Sequence, residues 1–211
     1  MKFFIALFFF FPILQSIAQT TEMEPPYPHG FTTSFGRALY YSSFTKYQSA
    51  NYDFTVGFGF NISPQFLVGI KIYTGEENSA TDQTQPVSGK FDLGGGAILL
   101  TYRLIDHGKW RPFITAGYEL STILTGAPQN TSFGSLAVTG TSGYTGSGLH
   151  SYIGTECYLS ENFSFEGSFS YQYRQYTSLI INSNNLGNVV SFTDQSFGVT
   201  LGCNVYFNLL P

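Results

Sequence analysis

The residues of this chain that could do chemistry are a set of ionisable side chains spread along its length. Carboxylates and basic side chains can act together as general acids and bases, line an ion path, or form a buried network of ion pairs. The members of the set lie in segments where bulky apolar residues alternate with small polar ones, and they belong to the small polar side. They are Lys71, Arg103, Glu119, Glu156, Glu166 and Arg174.

The segments that carry these residues have the pattern of β-strands, because adjacent residues of a strand point to opposite faces. Between residues 52 and 60 the even positions are Tyr, Phe or Val, and the odd positions are Asp, Thr or Gly. Eight such segments follow one another from about residue 31 to residue 209, each near the length that a tilted membrane strand needs. Clean alternation is lost around Phe35-Gly36-Arg37 and Gly94-Gly95-Gly96, where we expect a β-bulge or bend.

The connections between the eight segments alternate in length. Tight turns lie near residues 62–65, 106–111 and 160–162, and long connections lie near residues 74–88, 124–146 and 176–191. Short turns at one end and long loops at the other are typical of a barrel that spans an outer membrane. The sequence therefore predicts an all-β fold, an eight-stranded antiparallel up-and-down transmembrane β-barrel over residues 31–211, closed between its first and last strands.

Composition favours a membrane barrel over a water-soluble one. Charged residues make up 10% of the chain and aromatic residues 18%, whereas a soluble domain carries about 25% charged residues. A secreted β-sandwich or a lipocalin-like barrel also alternates, but its outer face meets water and needs charge. The balance of 9 Lys and Arg against 13 Asp and Glu, with no basic run, argues against nucleic acid as a partner.

The N-terminus has the pattern of a secretory signal. One Lys precedes an apolar run from Phe3 to Leu14, and the small residues of Ser16-Ile17-Ala18 are typical of a cleavage site. We predict a signal peptide over residues 1–18 and a Pro-rich periplasmic tether over residues 19–30.

The ionisable set is predicted to project into the barrel interior, where Arg37 and Asp53 would join it. An eight-stranded barrel is only wide enough to be filled by side chains, and a charge in such an interior must be paired. We interpret the set as a lumen charge network, a structural plug of salt bridges and hydrogen bonds. The alternative is a gated path for ions or water through the same network.

Enzymatic activity has to be weighed because the chain contains three histidines. His150 is followed by Ser151, but adjacent strand residues point to opposite faces, so these two side chains cannot pair. Glu156 shares a face with His150 but lies roughly 20 Å away along the strand. The sequence has no metal-ligand spacing and no nucleotide-binding glycine pattern. We therefore expect no enzymatic activity, no catalytic residue, no metal and no cofactor.

The two cysteines are expected to be free thiols. Cys157 falls on the sixth predicted strand and Cys203 on the eighth, both on the apolar side. Two strand spacings amount to about 9.6 Å, which exceeds the limit of roughly 7 Å between the Cα atoms of a disulfide.

Two long loops, Thr125 to Gly148 and Thr177 to Val190, contain no charged residue. A loop that grips phosphorylated lipid or a polyanion needs Lys or Arg. We expect these loops to pack, either on each other over the barrel mouth or against another protein. The candidate interaction surface consists of Phe133, Leu136, Tyr144, Leu179, Ile180 and Ile181.

The chain resembles the small eight-stranded outer-membrane β-barrels, such as OmpX and the transmembrane domain of OmpA. The resemblance rests on the architecture, the stretch Arg111 to Tyr118, the Leu-Ser-x-x-Phe turn at 159–163 and the aromatic last strand. It implies a bacterial outer-membrane location with both termini in the periplasm, contact with outer-membrane lipid, and assembly by the barrel-insertion machinery.

None of these motifs is tied to one activity. We expect a structural or interaction role, with an accessory subunit of a larger outer-membrane assembly as the first hypothesis and other outer-membrane proteins as possible partners. A surface adhesin, a small gated channel and a lipid A-modifying enzyme are the alternatives.

Overall fold

The fold is built from β-strands. The computed structural model describes residues 30–43, 51–78, 90–124, 131–133, 136–138, 142–181, 184–185 and 191–208. The long strands are β1 (Gly30–Ser42), β2 (Asn51–Asn61), β3 (Phe66–Asn78), β4 (Lys90–Arg103), β5 (Trp110–Leu124), β8 (Ser142–Ser160), β9 (Phe163–Ile181) and β11 (Phe192–Asn208). The short strands are β6 (Thr131–Phe133), β7 (Leu136–Val138) and β10 (Asn184–Asn185).

The long strands form one closed antiparallel barrel. Each pairs with its neighbours along the chain, from β1 through β5 and then β8, β9 and β11. The ring is completed by β1, which pairs with β11 from Gly30 opposite Asn208 to Ser42 opposite Ser196. Closure matters because an open sheet edge would leave backbone groups unsatisfied in hydrocarbon. The predicted eight-stranded up-and-down barrel, closed between its first and last long strands, is confirmed. The predicted signal peptide and most of the tether lie outside the described residues.

The barrel has two different ends. Residues 62–65, 104–109 and 161–162 form short connections at one end, which we call the turn end, and the other end is the loop end. Strands β8 and β9 reach further toward the loop end than the sequence indicated, since residues 142–148 and 177–181 were expected in loops. Their Gly, Ser and Thr composition is that of a loop, but it is equally that of a strand lining a narrow lumen.

The outer face of the barrel is apolar. Phe169 is 69% exposed, Leu201 66% and Ile98 65%, and similar residues cover the outside of every long strand. Such a continuous exposed apolar band fits a bilayer and not water. Within the described ranges, no helix is long and apolar enough to cross a membrane.

The prediction of bulges in β1 and β4 is wrong. Pairing is continuous through residues 35–37 and 94–96, and the two register shifts between β8 and β9 lie at Thr145/Gly146 and Tyr158/Ser160. The glycine at position 95 serves packing instead, because a Cβ there would collide with the inward-pointing Tyr73.

The two cysteines lie on the outer face as predicted. Cys157 and Cys203 both pair with Phe165, from the two sides of β9, so a whole strand separates them. Both thiols are free. Cys157 also lies directly opposite Trp110 on β5.

Candidate functional site

The barrel lumen holds a turn-end cluster, which we define as Arg103, Arg111, Glu156, Tyr158 and Tyr206. The Arg103 Nε donates to a Glu156 carboxylate oxygen at 3.0 Å. The Tyr206 hydroxyl donates to the other oxygen at 2.9 Å, and the Tyr158 hydroxyl lies 2.7 Å from the first. One carboxylate thus binds a cation and two phenols from three strands, which is the satisfaction that a buried charge requires.

Arg111 is the charged member of the turn-end cluster that the sequence reasoning missed. Its side chain is fully buried, its guanidinium lies 4.1 Å from the centre of the Tyr158 ring, and its Nε donates to the Gly108 carbonyl at 3.1 Å. The tight turn predicted near residues 106–111 includes this residue. Extending the alternation of β5 back through Pro112 would have placed it on the inner face with Glu119.

A loop-end cluster lies further along the axis and consists of Arg174, Glu119, Asp194, Gln172 and His150. The Arg174 Nε donates to Glu119 at 2.6 Å, and its Nη1 donates to Asp194 at 3.0 Å. Its Nη2 also donates to the Gln172 side-chain oxygen. A single guanidinium therefore connects β5, β9 and β11 while using most of its donor fork.

His150 has a fixed place in the loop-end cluster. The Gln172 amide nitrogen lies 2.6 Å from its Nε2. An amide nitrogen can only donate, so this contact assigns the imidazole proton to Nδ1, which lies 2.9 Å from a Glu119 oxygen. The ring is 2% exposed, and in this arrangement the neutral imidazole fills the lumen between Glu119 and Gln172.

A small cavity separates the two clusters. Its volume is about 70 Å³, enough for a few water molecules. The Lys71 ammonium faces this space and lies 4.4 Å from the centre of the Tyr152 ring, while Glu166 accepts a bond from the Asn204 amide at 3.3 Å.

An aromatic layer fills the lumen at the loop end. Phe192 packs against it, with its ring centre 5.1 Å from those of Tyr144 and Tyr176. The layer is tied to the cluster below it by Arg174, whose guanidinium lies 5.5 Å from the Tyr73 ring. The buried members of the layer are Tyr40, Tyr73, Phe91, Leu93, Ile123, Tyr144, Tyr176 and Leu179.

The structure brings the predicted lumen residues together. All six side chains face the interior, four of them within the two clusters and Lys71 and Glu166 at the cavity. Asp53 is also inside, 3% exposed. The predicted inward position of Arg37 is wrong, because its side chain is exposed on the outer face. Without the expected bulge in β1, its odd position falls on the lipid-facing side.

The predicted loop surface needs a second correction. Tyr144 and Leu179 belong to barrel strands and their side chains are buried in the aromatic layer, because β8 and β9 continue past the predicted strand ends. Phe133 and Leu136 belong to the β6–β7 hairpin, and Ile180 and Ile181 end β9. The side chains of those four residues lie outside the described part of the structure.

The described structure keeps His150 and Ser151 on opposite faces of β8. Ser151 is on the outer face and its hydroxyl donates to the Tyr171 carbonyl at 3.3 Å, while His150 is inside. The described residues also contain no cluster of three or more His, Cys, Asp or Glu able to hold a metal ion.

A carboxylate–histidine hydrogen bond lies outside the membrane-spanning part, in the turn between β4 and β5. The Asp106 carboxylate lies 2.9 Å from the His107 Nδ1. This hydrogen bond lowers the pKa of the Asp106 carboxyl below its ordinary value.

Comparison with known proteins identifies the fold. No protein-family model and no curated protein matches the sequence. Neisserial surface protein A is 16% identical over 84% of this chain and 97% of its own, with a TM-score of 0.59. OprG of Pseudomonas aeruginosa is 10% identical over 88% and 100%, with a TM-score of 0.53. Ail of Yersinia pestis, in complex with the heparin analogue sucrose octasulfate, is 10% identical over 88% and 100%, with a TM-score of 0.51. The chain has the fold of the small outer-membrane β-barrels, which confirms the predicted resemblance at the level of architecture.

Proposed function

We propose that this chain is a non-enzymatic protein of the bacterial outer membrane whose barrel is closed to ions and whose role is structural or interactive. The observation that carries the proposal is the burial of three arginines in the lumen. Arg103, Arg111 and Arg174 are each 0% exposed. A conducting pore of this size would present such guanidinium groups to water.

The positions of the two clusters and the aromatic layer along the barrel axis also support a closed barrel. The two clusters cross the lumen at different heights, and the aromatic layer covers the loop-end side of the second. An ion crossing the barrel would have to break the Arg103–Glu156 pair and the Arg174 contacts, and breaking one buried pair costs about 3 to 5 kcal/mol. The lumen is thus suited to hold strands together and not to pass solutes.

Conductance of the purified protein in planar lipid bilayers tests the closed barrel. We expect no stable current steps with the wild type, and a known porin in the same preparation serves as the positive control. The double variant R174M/E119L removes the central pair without leaving a charge of the pair behind. Steady openings of the wild type, suppressed or altered in that variant, would refute the closed barrel in favour of a small channel.

A gated channel is the second candidate, and the cavity between the clusters favours it. In a channel, the space of about 70 Å³ beside Lys71 would form part of the path. In a channel, K71M should change ion selectivity, whereas in a closed barrel it should change only stability.

The interaction role rests on the loops. Residues 125–148 and 177–190 contain no charged residue, and with Tyr144 and Leu179 turned inward, Phe133 and Leu136 of the hairpin are the better candidates for contact. We infer an accessory-subunit role in which these two uncharged loops pack on another outer-membrane protein, with the termini in the periplasm. Apolar, uncharged surface at the centre of a contact is typical of permanent complexes.

Co-purification from native membranes in a mild detergent tests the subunit role. We expect one outer-membrane protein in a fixed ratio to the tagged barrel, lost in F133S/L136S and retained in a matched I98S variant on the lipid face. Recovery of the barrel alone, or equal recovery of the partner with both variants, would contradict the accessory-subunit role.

The absence of enzymatic activity is likewise a proposal, supported by the burial of His150 against Glu119 and Gln172. The mass of lipid A before and after expression is the measurement. A mass shift that disappears in H150A would overturn the proposal.

A further inference from the structure

Arg37 is a cation on the lipid-facing side of the barrel. Its direct neighbours across the sheet are Leu201 on β11 and Phe54 on β2, which are 66% and 53% exposed. Among the residues that the structure describes, no carboxylate forms an ion pair with Arg37. The guanidinium therefore has apolar neighbours and no protein counter-charge in the described structure. An anion from outside the protein would supply the missing counter-charge.

The side chain of Arg37 leans toward the loop end. Its guanidinium carbon lies 5.0 Å from the centre of the Tyr52 ring, and Tyr52 is two residues closer to the loop end than the direct partner Phe54. Long basic side chains extend in this way from a membrane interior to its boundary. Tyr41 lies four residues closer to the loop end on the same strand, roughly 10 Å along the barrel axis because the strand is tilted. An extended arginine side chain spans most of that distance.

A groove adjoins Arg37 on the same face. It has a volume of about 440 Å³ and is lined, besides Arg37, by Ala38, Leu39, Tyr52, Val199 and Leu201. The groove is apolar along β1 and β11 and has its one cation at the edge facing Tyr52. This combination matches an amphiphile with a hydrocarbon chain and an anionic headgroup.

We propose that the groove beside Arg37 binds an anionic membrane lipid of the leaflet at the loop end, with the lipid phosphate on the guanidinium and an acyl chain along Leu39, Val199 and Leu201. Arginine binds phosphate through two parallel hydrogen bonds, and stacking on Tyr52 holds the fork in place. The site explains why an arginine stands where every neighbouring outward residue is apolar. It is independent of whether the lumen is closed.

Native mass spectrometry of the full protein in detergent, titrated with phosphatidylglycerol, tests this site. We expect R37Q to weaken retention of phosphatidylglycerol about fivefold, the contribution of one basic residue near an anionic membrane surface. R37K should keep most of the affinity, and Y52L should lose part of it. K109Q removes the same charge at the turn end but leaves the groove intact, so it should change retention less than twofold.

Four results decide the assignment. Phosphatidylcholine, which has no net charge, should bind equally to the wild type and to R37Q, and inorganic phosphate should not compete with phosphatidylglycerol. Equal phosphatidylglycerol retention by the wild type and R37Q would overturn the proposal. So would competition by inorganic phosphate, which indicates a free-anion site, or a dimer that R37Q dissolves, which indicates a second chain on this face. Heat-modifiable gel mobility confirms that each variant is folded.

Discussion

Replacing Arg174 by methionine is the sharpest test of the lumen network. Arg174 donates to Glu119 at 2.6 Å and to Asp194 at 3.0 Å, and all three side chains are at most 1% exposed. R174M fills nearly the same volume but leaves two carboxylates in the lumen with no guanidinium between them. Removing one partner of a buried pair costs about 3 to 5 kcal/mol. We therefore expect R174M to lose at least about 3 kcal/mol, which is more than 100-fold in the unfolding equilibrium.

Equilibrium unfolding in guanidinium chloride, with the barrel refolded into phospholipid vesicles, measures this loss. The single tryptophan of the chain, Trp110, is the fluorescent reporter. The control K109M also replaces a basic residue by methionine, but at the turn end outside both clusters, and should change stability by less than about 0.5 kcal/mol.

A second variant separates unpaired charge from lost packing. In R174M/E119L/D194L the three charged members of the loop-end cluster become apolar, and apolar replacement of a complete buried set of ion pairs is often neutral. We expect it to recover at least half of the loss. If R174M is within about 1 kcal/mol of the wild type, or if the triple variant is the less stable of the two, the two carboxylates are hydrated and Arg174 is not what stabilises them.

Three other predictions concern glycine, thiols and the turn. G148A places a Cβ against the backbone of β9. It should destabilise the barrel by about 1 to 3 kcal/mol in the same unfolding assay. A G148A variant as stable as the wild type would mean that β8 and β9 can move apart at this position. Cys157 and Cys203 should react in vesicles with a membrane-permeant maleimide and not with a charged one, and fast labelling by the charged reagent would contradict their contact with lipid. H107A should raise the pKa of Asp106 toward 3.8, measured by the pH dependence of its carboxyl ¹³C shift; an unchanged pKa would exclude the hydrogen bond as the cause. Since the folded pKa of Asp106 is depressed, any stability it contributes is present above 3.8 and is lost as pH falls through the folded value.

The sequence was sufficient for the barrel because alternation records which side of each strand meets lipid. From Tyr52 to Phe60 every second residue is aromatic or branched, and the structure places all of these side chains outside. The same parity located Glu119, Glu156 and Arg174 in the lumen. A period of two is a local property of the chain, so it needs no knowledge of how the strands pair.

The sequence was not sufficient where two environments share one composition. Residues 142–148 and 177–181 resemble loops because Gly, Ser and Thr suit both a loop and the inside of a narrow barrel, so Tyr144 and Leu179 were assigned to a surface. Gly36 and Gly95 resembled bulge residues for a similar reason, and this error put Arg37 inside.

The partners within the lumen were also beyond prediction. Arg103 on β4 binds Glu156 on β8, although β5 lies between these strands. Which residues meet across the lumen depends on the tilt and stagger of all the strands together, and no segment of sequence contains that information.

Both clusters contain residues of β11, the last barrel strand in the chain. Asp194 completes the surroundings of Arg174, and Tyr206 with Asn204 completes those of Glu156. Without β11, the barrel would be open beside both clusters and water could reach the charges of Arg174 and Glu156. The strand that closes the sheet therefore also covers the last water-accessible side of each charge cluster.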